Sequence, residues 1–454
     1  MVKSKISVIG LGKLGLPMAL NYDRAGYEVI GIDLNSDLVD KINSGENPYQ
    51  EPGVSDLLRS VRPGFRATPS MNSAMLTDIS FIIVPTPSLA NGYFSNQYVE
   101  SAIRSLATEL RNKSDYHLVV ITSTVMPGTT EEMGRLLEVH SGKILNYDFG
   151  VCYNPEFIAL GSVLKDLQNP DFVLIGESNK YSGDLLETLY RDVLRWNDST
   201  GSHWPTIRRM STWNAELAKI SLNTFCTMKM AFANLLADLC ETVIGGNVDS
   251  ITEAIGLDPR IGKKFLKGAL SYGGPCFPRD NRALGTWARN QGVDSNLPGG
   301  TDSANKEHTE RLANTVIDIL KGDTNKKVSI LGCTYKPGTD IIEESAVINL
   351  ARILGEEGFE THLHDPKGIP RAKIALGELS QYYEDGPGLD QCVYNSDLCI
   401  IGTPWQVYSL LDANYFKVMG CKAILDCWRV YKSEDFKNLG IDYYAIGLAN
   451  KEVL

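Results

Sequence analysis

The chain of 454 residues is poor in several residue patterns that would assign it to a functional class at once. It has only six histidines, and its nine cysteines are scattered with no CxxC pair. His362 and His364 alternate in a strand-like run, so no metal-ligand spacing stands out and no metal is expected. Odd, scattered cysteines favour unpaired thiols in a reducing, cytoplasmic compartment over a disulfide framework. Positive charge is also short: 44 Lys+Arg against 55 Asp+Glu leave a net charge of -11. That balance argues against nucleic acid and anionic membrane as partners. It leaves room for an anionic small molecule in a locally positive pocket. No apolar run reaches the roughly 20 residues that span a bilayer. The opening Met1-Val2-Lys3-Ser4-Lys5 lacks the apolar core and cleavage site of a signal peptide.

What is present is the composition of a globular protein, 43% hydrophobic and 22% charged, in a chain long enough for two or three domains. Residues 1–205 alternate short β-branched runs with amphipathic stretches. Ile6–Gly10, Glu28–Asp33, Phe81–Val84 and Leu118–Ile121 read as buried parallel strands, which are continuously apolar. Residues 206–322 read as helical. From Thr212 to Ile244 no proline or glycine interrupts a near-helical spacing of Leu217, Ile220, Phe225, Met228, Phe232, Leu235, Leu236 and Leu239, and Gly245-Gly246 ends it. A helix of that length, with two apolar sides, suits a homodimer or a multiple of one; an ordinary core helix is the alternative. Residues 323–454 repeat the first grammar. Val328–Gly332 resembles the first strand, Thr361–Asp365 ends in an acid as Gly31-Ile32-Asp33 does, and Cys399–Pro404 parallels Ile82–Pro87. The expected fold is α/β: two Rossmann-like, doubly wound parallel-sheet domains joined by a long central helix and a helical middle domain.

Gly10-x-Gly12-x-x-Gly15 follows a strand and opens a helix, and Asp33 closes the next strand. Gly10 makes the tight turn, Gly12 lets a pyrophosphate approach, and Gly15 packs helix on strand. The helix N-terminus faces the phosphate charge. Asp33 suits ribose hydroxyls and disfavours a 2'-phosphate, so NAD is expected rather than NADP. Pro85-Thr86-Pro87 is placed to line the same crevice.

A second stretch, Ser271-Tyr272-Gly273-Gly274-Pro275-Cys276-Phe277-Pro278-Arg279-Asp280, is neither helix nor strand by its glycines and prolines. It offers a thiol with an acid four residues on. Lys219 and Asn223 are i and i+4 on the long helix and share a face. Together they suit an oxyanion, and a nearby lysine lowers a thiol pKa. Asn154-Pro155-Glu156-Phe157 sets a carboxylate just past a strand end; taken alone, Glu156 reads as a surface residue.

At these residues the chain resembles the UDP-glucose/GDP-mannose dehydrogenase family. The resemblance rests on Gly10–Pro17, Glu51-Pro52-Gly53, Ser123–Thr129, Asn154–Phe157, Glu216-Leu217-x-Lys219 with Asn223, Arg260, Phe265-Leu266-Lys267, Gly273–Asp280, Tyr335–Asp340 and Glu344-Ser345. It implies a four-electron oxidation of a nucleotide-sugar 6-hydroxymethyl to a carboxylate, with two NAD used in turn. It implies a thiohemiacetal and then a thioester on Cys276, with Lys219 and Asn223 holding an oxyanion. Glu156 and Asp280 would handle protons, and Thr124 would order the water. Leu14, Thr86, Thr124 and Arg279 join the cofactor site. Phe157, Arg260, Phe265, Leu266, Lys267, Tyr272, Gly273, Phe277 and Lys336 join the nucleotide-sugar site, Arg260 from a neighbouring subunit. The C-terminal unit, lacking GxGxxG, is expected to hold its nucleotide differently.

Two positions depart from the family pattern. Leu160 stands where many members carry an acid, and Glu343 where many carry an arginine. UDP-glucose is the leading substrate, with an N-acetylhexosamine, mannose or dTDP-glucose derivative as alternatives. A two-electron hydroxyacid-type dehydrogenase, or a sensor without turnover, fits less of the chain.

Overall fold

Apolar β-branched runs give the strands, and helices cover both faces of the sheet they form. A computed structural model describes residues 3–49, 51–197, 204–294, 296–384 and 386–449. They fall into two units, Met1–Ile220 and Ser221–Leu454, divided within the long helix Thr212–Cys240.

The first unit carries β1 (Ile6–Ile9), β2 (Val29–Ile32), β3 (Arg66–Thr68), β4 (Ile79–Ile82), β5 (His117–Ile121), β6 (Phe149–Tyr153), β7 (Phe172–Glu177) and β8 (Thr206–Ser211). They form one sheet in the order β3-β2-β1-β4-β5-β6-β7-β8. β1 lies between β2 and β4, with Ile6 opposite Val29 and Ile79. The β6–β7 pair is antiparallel, so β7 and β8 extend the parallel sheet in the opposite sense. Alternate β2 residues feed opposite faces. Val29 packs with Leu16, Leu20, Leu189 and Tyr190 of helices Gly15–Arg24 and Lys180–Asn197. Ile30 and Ile32 pack with Ile103, Leu106 and Leu137 on the other side. The strand expected at Phe81–Val84 lies two residues earlier. The Ile83 amide still donates to the Ile9 carbonyl at 2.8 Å, and the backbone then leaves the ladder, with the Val84 amide donating to Ser123 Oγ at 2.9 Å.

The second unit carries β9 (Lys327–Leu331), β10 (Glu360–His364), β11 (Gln381–Tyr383), β12 (Leu398–Ile401), β13 (Ala423–Asp426) and β14 (Asp442–Ala445). Their order, β11-β10-β9-β12-β13-β14, is parallel throughout and is the doubly wound order of a dinucleotide fold. Helices Val248–Gly256, Phe277–Asn290 and Asn296–Ile319 precede the sheet.

The long helix ends at Cys240, four residues short of the sequence expectation. Thr242 and Val243 bond three residues back rather than four, and Gly245 takes a φ of +76°. The β-branched Thr242, Val243 and Ile244 weaken the last turn. The helix also buries a narrower face than its spacing suggests. Ala233, Ala237 and Cys240 are buried, while Phe225, Phe232, Leu235 and Leu239 are 49–57% exposed.

Candidate active site

In the first unit the dinucleotide loop is fixed by what surrounds each glycine. Gly10 has φ +94°, and a Cβ there would sit 2.1 Å from the Ile83 carbonyl oxygen. A Cβ on Gly15 would meet the Gly10 carbonyl oxygen at 1.9 Å. Gly12 faces open space, with none of the described residues but its chain neighbours within 4 Å of a Cβ there. The first and third glycines are therefore required by the fold, and the second leaves room for a pyrophosphate. Leu14 caps the helix that follows and packs on the core. Asp33 accepts the Leu11 amide at 2.8 Å and the Asn35 amide at 3.0 Å. A carboxylate accepts about four hydrogen bonds, so Asp33, partly exposed, keeps capacity for ribose hydroxyls. These features fit NAD. Thr86 is buried, and its hydroxyl donates to the Thr124 carbonyl at 2.8 Å, which ties the exposed Pro85 turn to the loop after β5.

Glu156, Phe157 and Lys219 come together in this unit. The Lys219 ammonium donates to the Glu156 carbonyl at 2.7 Å and lies 4.6 Å from the centre of the Phe157 ring. Burial pushes the Glu156 carboxyl up to about 7, against the opposing pull of the Tyr190 hydroxyl and then Lys219. A carboxyl poised near neutrality suits general-base work. Glu216, one turn ahead of Lys219, accepts the Gly128 and Thr130 amides at 2.6 and 2.7 Å. It thereby closes the N-terminus of helix Thr129–Ser141 and holds the loop that carries Thr124.

In the second unit Cys276 is the N-cap of helix Phe277–Asn290. It is exposed, and the other eight cysteines are buried. The helix N-terminus favours the thiolate. One turn on, buried Asp280 accepts from the Asn223 amide at 2.6 Å and from Arg279 at 3.2 Å. The Cys276 loop is braced by the C-terminal sheet domain of the same unit. A Cβ on Gly273 would sit 2.2 Å from the Glu344 carbonyl oxygen, and one on Gly274 2.6 Å from the Tyr335 ring. The Gly274 amide donates to the Glu343 carbonyl at 2.9 Å. On the other side, Asn305 pairs with both the amide and the carbonyl of buried Tyr272, at 2.8 and 3.0 Å. Phe265, with φ +61°, meets Phe277 edge to face at 5.8 Å, while Leu266 is buried and Lys267 exposed. Lys336 lies 5.7 Å from the centre of the Tyr335 ring.

Arg260 stands apart from these residues: it is exposed, and its guanidinium pairs with Asp258 of its own turn at 2.6 Å. Leu160 packs partly buried on the first unit's core, where a carboxylate would be costly. Glu343 is not short of a cation. Arg371, from helix Ile369–Leu376, stands 4.0 Å from it and 3.0 Å from Asp340. Glu216, Tyr190, Asn305 and Arg371 were not singled out in the sequence. Only Glu216 had a signal, its place in Glu216-Leu217-x-Lys219; the others lie in ordinary helices far along the chain from what they hold.

Asp365, which ends β10 as Asp33 ends β2, is 2% exposed and fully engaged. Its Oδ2 accepts the Cys333 and Thr334 amides, the Thr334 hydroxyl and the Trp405 indole at 2.7–3.1 Å. Its Oδ1 accepts the Lys367 and Gly368 amides at 2.8 and 2.7 Å.

Family models match the chain in three stretches. These are the NAD binding domain of the UDP-glucose/GDP-mannose dehydrogenase family at residues 4–194, its central domain at 213–307 and its UDP binding domain at 329–433. The chain is 30% identical over 444 residues to a UDP-glucose 6-dehydrogenase of Haloferax volcanii, covering 97% of this chain and 100% of that one. It is 33% identical over 413 residues to a GDP-mannose 6-dehydrogenase of Pseudomonas aeruginosa, covering 88% and 91%. A UDP-glucose dehydrogenase structure from Pyrobaculum islandicum matches at a TM-score of 0.88 and 30% identity, over 99% of this chain and 98% of that one. Among the described residues no helix is long and apolar enough to cross a membrane. With a dinucleotide crevice in the first unit and an exposed, helix-capping thiol in the second, the chain belongs to the UDP-glucose/GDP-mannose dehydrogenase family of NAD-dependent nucleotide-sugar 6-dehydrogenases.

Proposed function

We propose that this enzyme oxidises UDP-glucose to UDP-glucuronate, carrying the sugar 6-hydroxymethyl through an aldehyde to a carboxylate. The observation that carries the reading is the contrast among the cysteines: eight are buried, and Cys276 is exposed at a helix N-terminus one turn from Asp280. Bound NAD supplies a hydride acceptor. The Cys276 thiolate adds to the aldehyde carbon, and loss of the second hydride from that adduct leaves a thioester. Water then cleaves the thioester, releasing the acid and restoring the thiol. In sum, one water is consumed, and two NADH and three protons are released per sugar. Glu156 takes the proton from that water, and Thr124 orders it. Lys219 and Asn223 hold the oxyanion, and Asp280 fixes Asn223 and exchanges protons near the thiol. Arg260, Phe265, Leu266, Lys267, Tyr272, Gly273, Phe277 and Lys336 are assigned to the nucleotide sugar, and Arg371 supplies a cation beside Glu343.

The test is product stoichiometry across a panel of nucleotide sugars. Two NADH per sugar, fastest with UDP-glucose, is the expected result. One NADH per sugar would replace the reading with a two-electron dehydrogenase; faster turnover of GDP-mannose or a UDP-N-acetylhexosamine would correct the substrate. Cys276→Ser is expected to abolish acid formation and leave NAD binding intact, because a serine hydroxyl is a far poorer nucleophile at neutral pH.

The exposed apolar stripe of the long helix, with Phe225, Phe232, Leu235 and Leu239, supports a homodimer or a multiple of one built on that helix. Light scattering at micromolar concentration checks this, and a monomer refutes it.

A further inference from the structure

We propose that Tyr190, which belongs to none of the sequence motifs, is a positioning residue that sets the protonation state of Glu156 and so gates the water step. The proposal rests on the reading of Glu156 as the base for that step. Tyr190 lies on the buried side of helix Lys180–Asn197. Its hydroxyl meets two oxygens, Asn154 Oδ1 at 2.5 Å and Glu156 Oε1 at 3.0 Å. The Asn154 amide nitrogen donates to the Leu174 carbonyl at 2.9 Å. That bond fixes the amide orientation, so Asn154 turns an oxygen, with no proton to give, toward Tyr190.

A phenol has one proton and two acceptors compete for it. When the hydroxyl donates to Asn154, its contact with Glu156 needs a proton from the carboxyl, so Glu156 is neutral and donates. When the hydroxyl turns to Glu156, the carboxyl can ionise, and the Asn154 oxygen loses its donor. The two arrangements differ by one proton on Glu156 and one rotation of a hydroxyl. Asn154 therefore favours the neutral acid and Tyr190 the carboxylate, and their competition holds the group between the two forms. Among the described residues of this unit, Lys219 of the long helix, whose ammonium lies at the Glu156 carbonyl, also favours the carboxylate, and Tyr22 of helix Gly15–Arg24 is a buried hydroxyl beside Tyr190. Burial raises the carboxyl to about 7, and Tyr190 opposes the rise. The base is the ionised form, so the water step speeds up as pH climbs through that value.

The sign of the shift distinguishes this role from simple support. Tyr190→Phe removes the donor that favours the carboxylate, so the titration moves up by roughly one pH unit, the size of a hydrogen bond to a charged group. Asn154→Leu removes the competing acceptor and frees the Tyr190 proton for Glu156, so the titration moves down. Infrared difference titration of the carboxyl, on full-length protein without substrate and with Glu156→Gln as the blank, reads this directly. The acidic limb of acid formation should follow the same two directions. Opposite shifts are the expected result. Unmoved titrations in the folded variants, or shifts of the same sign, overturn the proposal, and either variant alone still decides it if the other fails to fold. Loss of the limb with no nucleotide sugar oxidised would refute the proposed reaction and leave the infrared titration to judge Tyr190.

Discussion

The two sheet domains begin alike and end differently. β1 and β9 each run into a glycine with a left-handed φ, +94° at Gly10 and +88° at Gly332. Asp33 and Asp365 each end the neighbouring strand, and each accepts the amide that follows that glycine, from Leu11 and from Cys333. Two residues past the first glycine, Gly12 leaves space where Thr334 fills it and binds Asp365. Four residues past the ends of β4 and β12, Thr86 stands where Trp405 reaches the same carboxylate. Asp33 therefore has two protein donors and room for a ribose, while Asp365 has six and no room. The acid at the end of the second strand keeps acceptor capacity for a ligand in one domain and is a structural strut in the other, and its donor count separates the two.

The largest expected effect comes from removing the strut. Asp365→Ala leaves several buried donors without an acceptor, each costing about 1–3 kcal/mol, so calorimetry should show a loss on the order of 3–5 kcal/mol in the second unit. Asp33→Ala should cost under about 1 kcal/mol of stability and raise the NAD KM instead. If Asp33→Ala proves the more destabilising of the two, the contrast between strut and ligand is wrong.

The glycines give the next test. A Cβ on Gly332 would sit 2.5 Å from Thr403 Cβ, whereas among the described residues, its chain neighbours aside, nothing lies within 4 Å of one on Gly12. Gly332→Ala should lower stability by about 1–3 kcal/mol. Gly12→Ala should melt like the parent and bind NAD poorly, and equal melting points for the two variants would remove the distinction.

Two smaller effects, each about tenfold or about 1.4 kcal/mol, sharpen the separation of the two nucleotide sites. Arg260→Ala is expected to raise the nucleotide-sugar KM by at least about that factor with NAD kinetics unchanged; an unchanged KM returns Arg260 to its pairing with Asp258. NAD is expected to be preferred over NADP by at least about the same factor, through Asp33. Steady-state kinetics with both cofactors check this, and equal efficiencies would show that Asp33 does not read the 2' position.

Much of this was written in local order. Ile6–Ile9 and Val328–Leu331 are strands because β-branched residues buried on both faces leave no polar alternation. Gly10 and Gly15 mark a tight turn because few other residues fit there, and Gly12 between them leaves the space a phosphate needs. Gly273-Gly274-Pro275-Cys276 announces an irregular thiol loop for the same reason. Sequence alone did not say that Phe225 and Leu239 would lie exposed, since a helical period gives an apolar stripe but not what it faces. Nor did it say that Asp365 would be saturated, because Trp405 meets it only once β10 and β12 flank β9. Tyr190 and Asn154 sit 36 residues apart, on a helix and past a strand end, and only packing brings their oxygens together over Glu156. Local chemistry thus determined which groups are available. The tertiary structure decided which are buried, and so which must share a proton or give up a ligand, because desolvation depends on neighbours that the linear order does not hold.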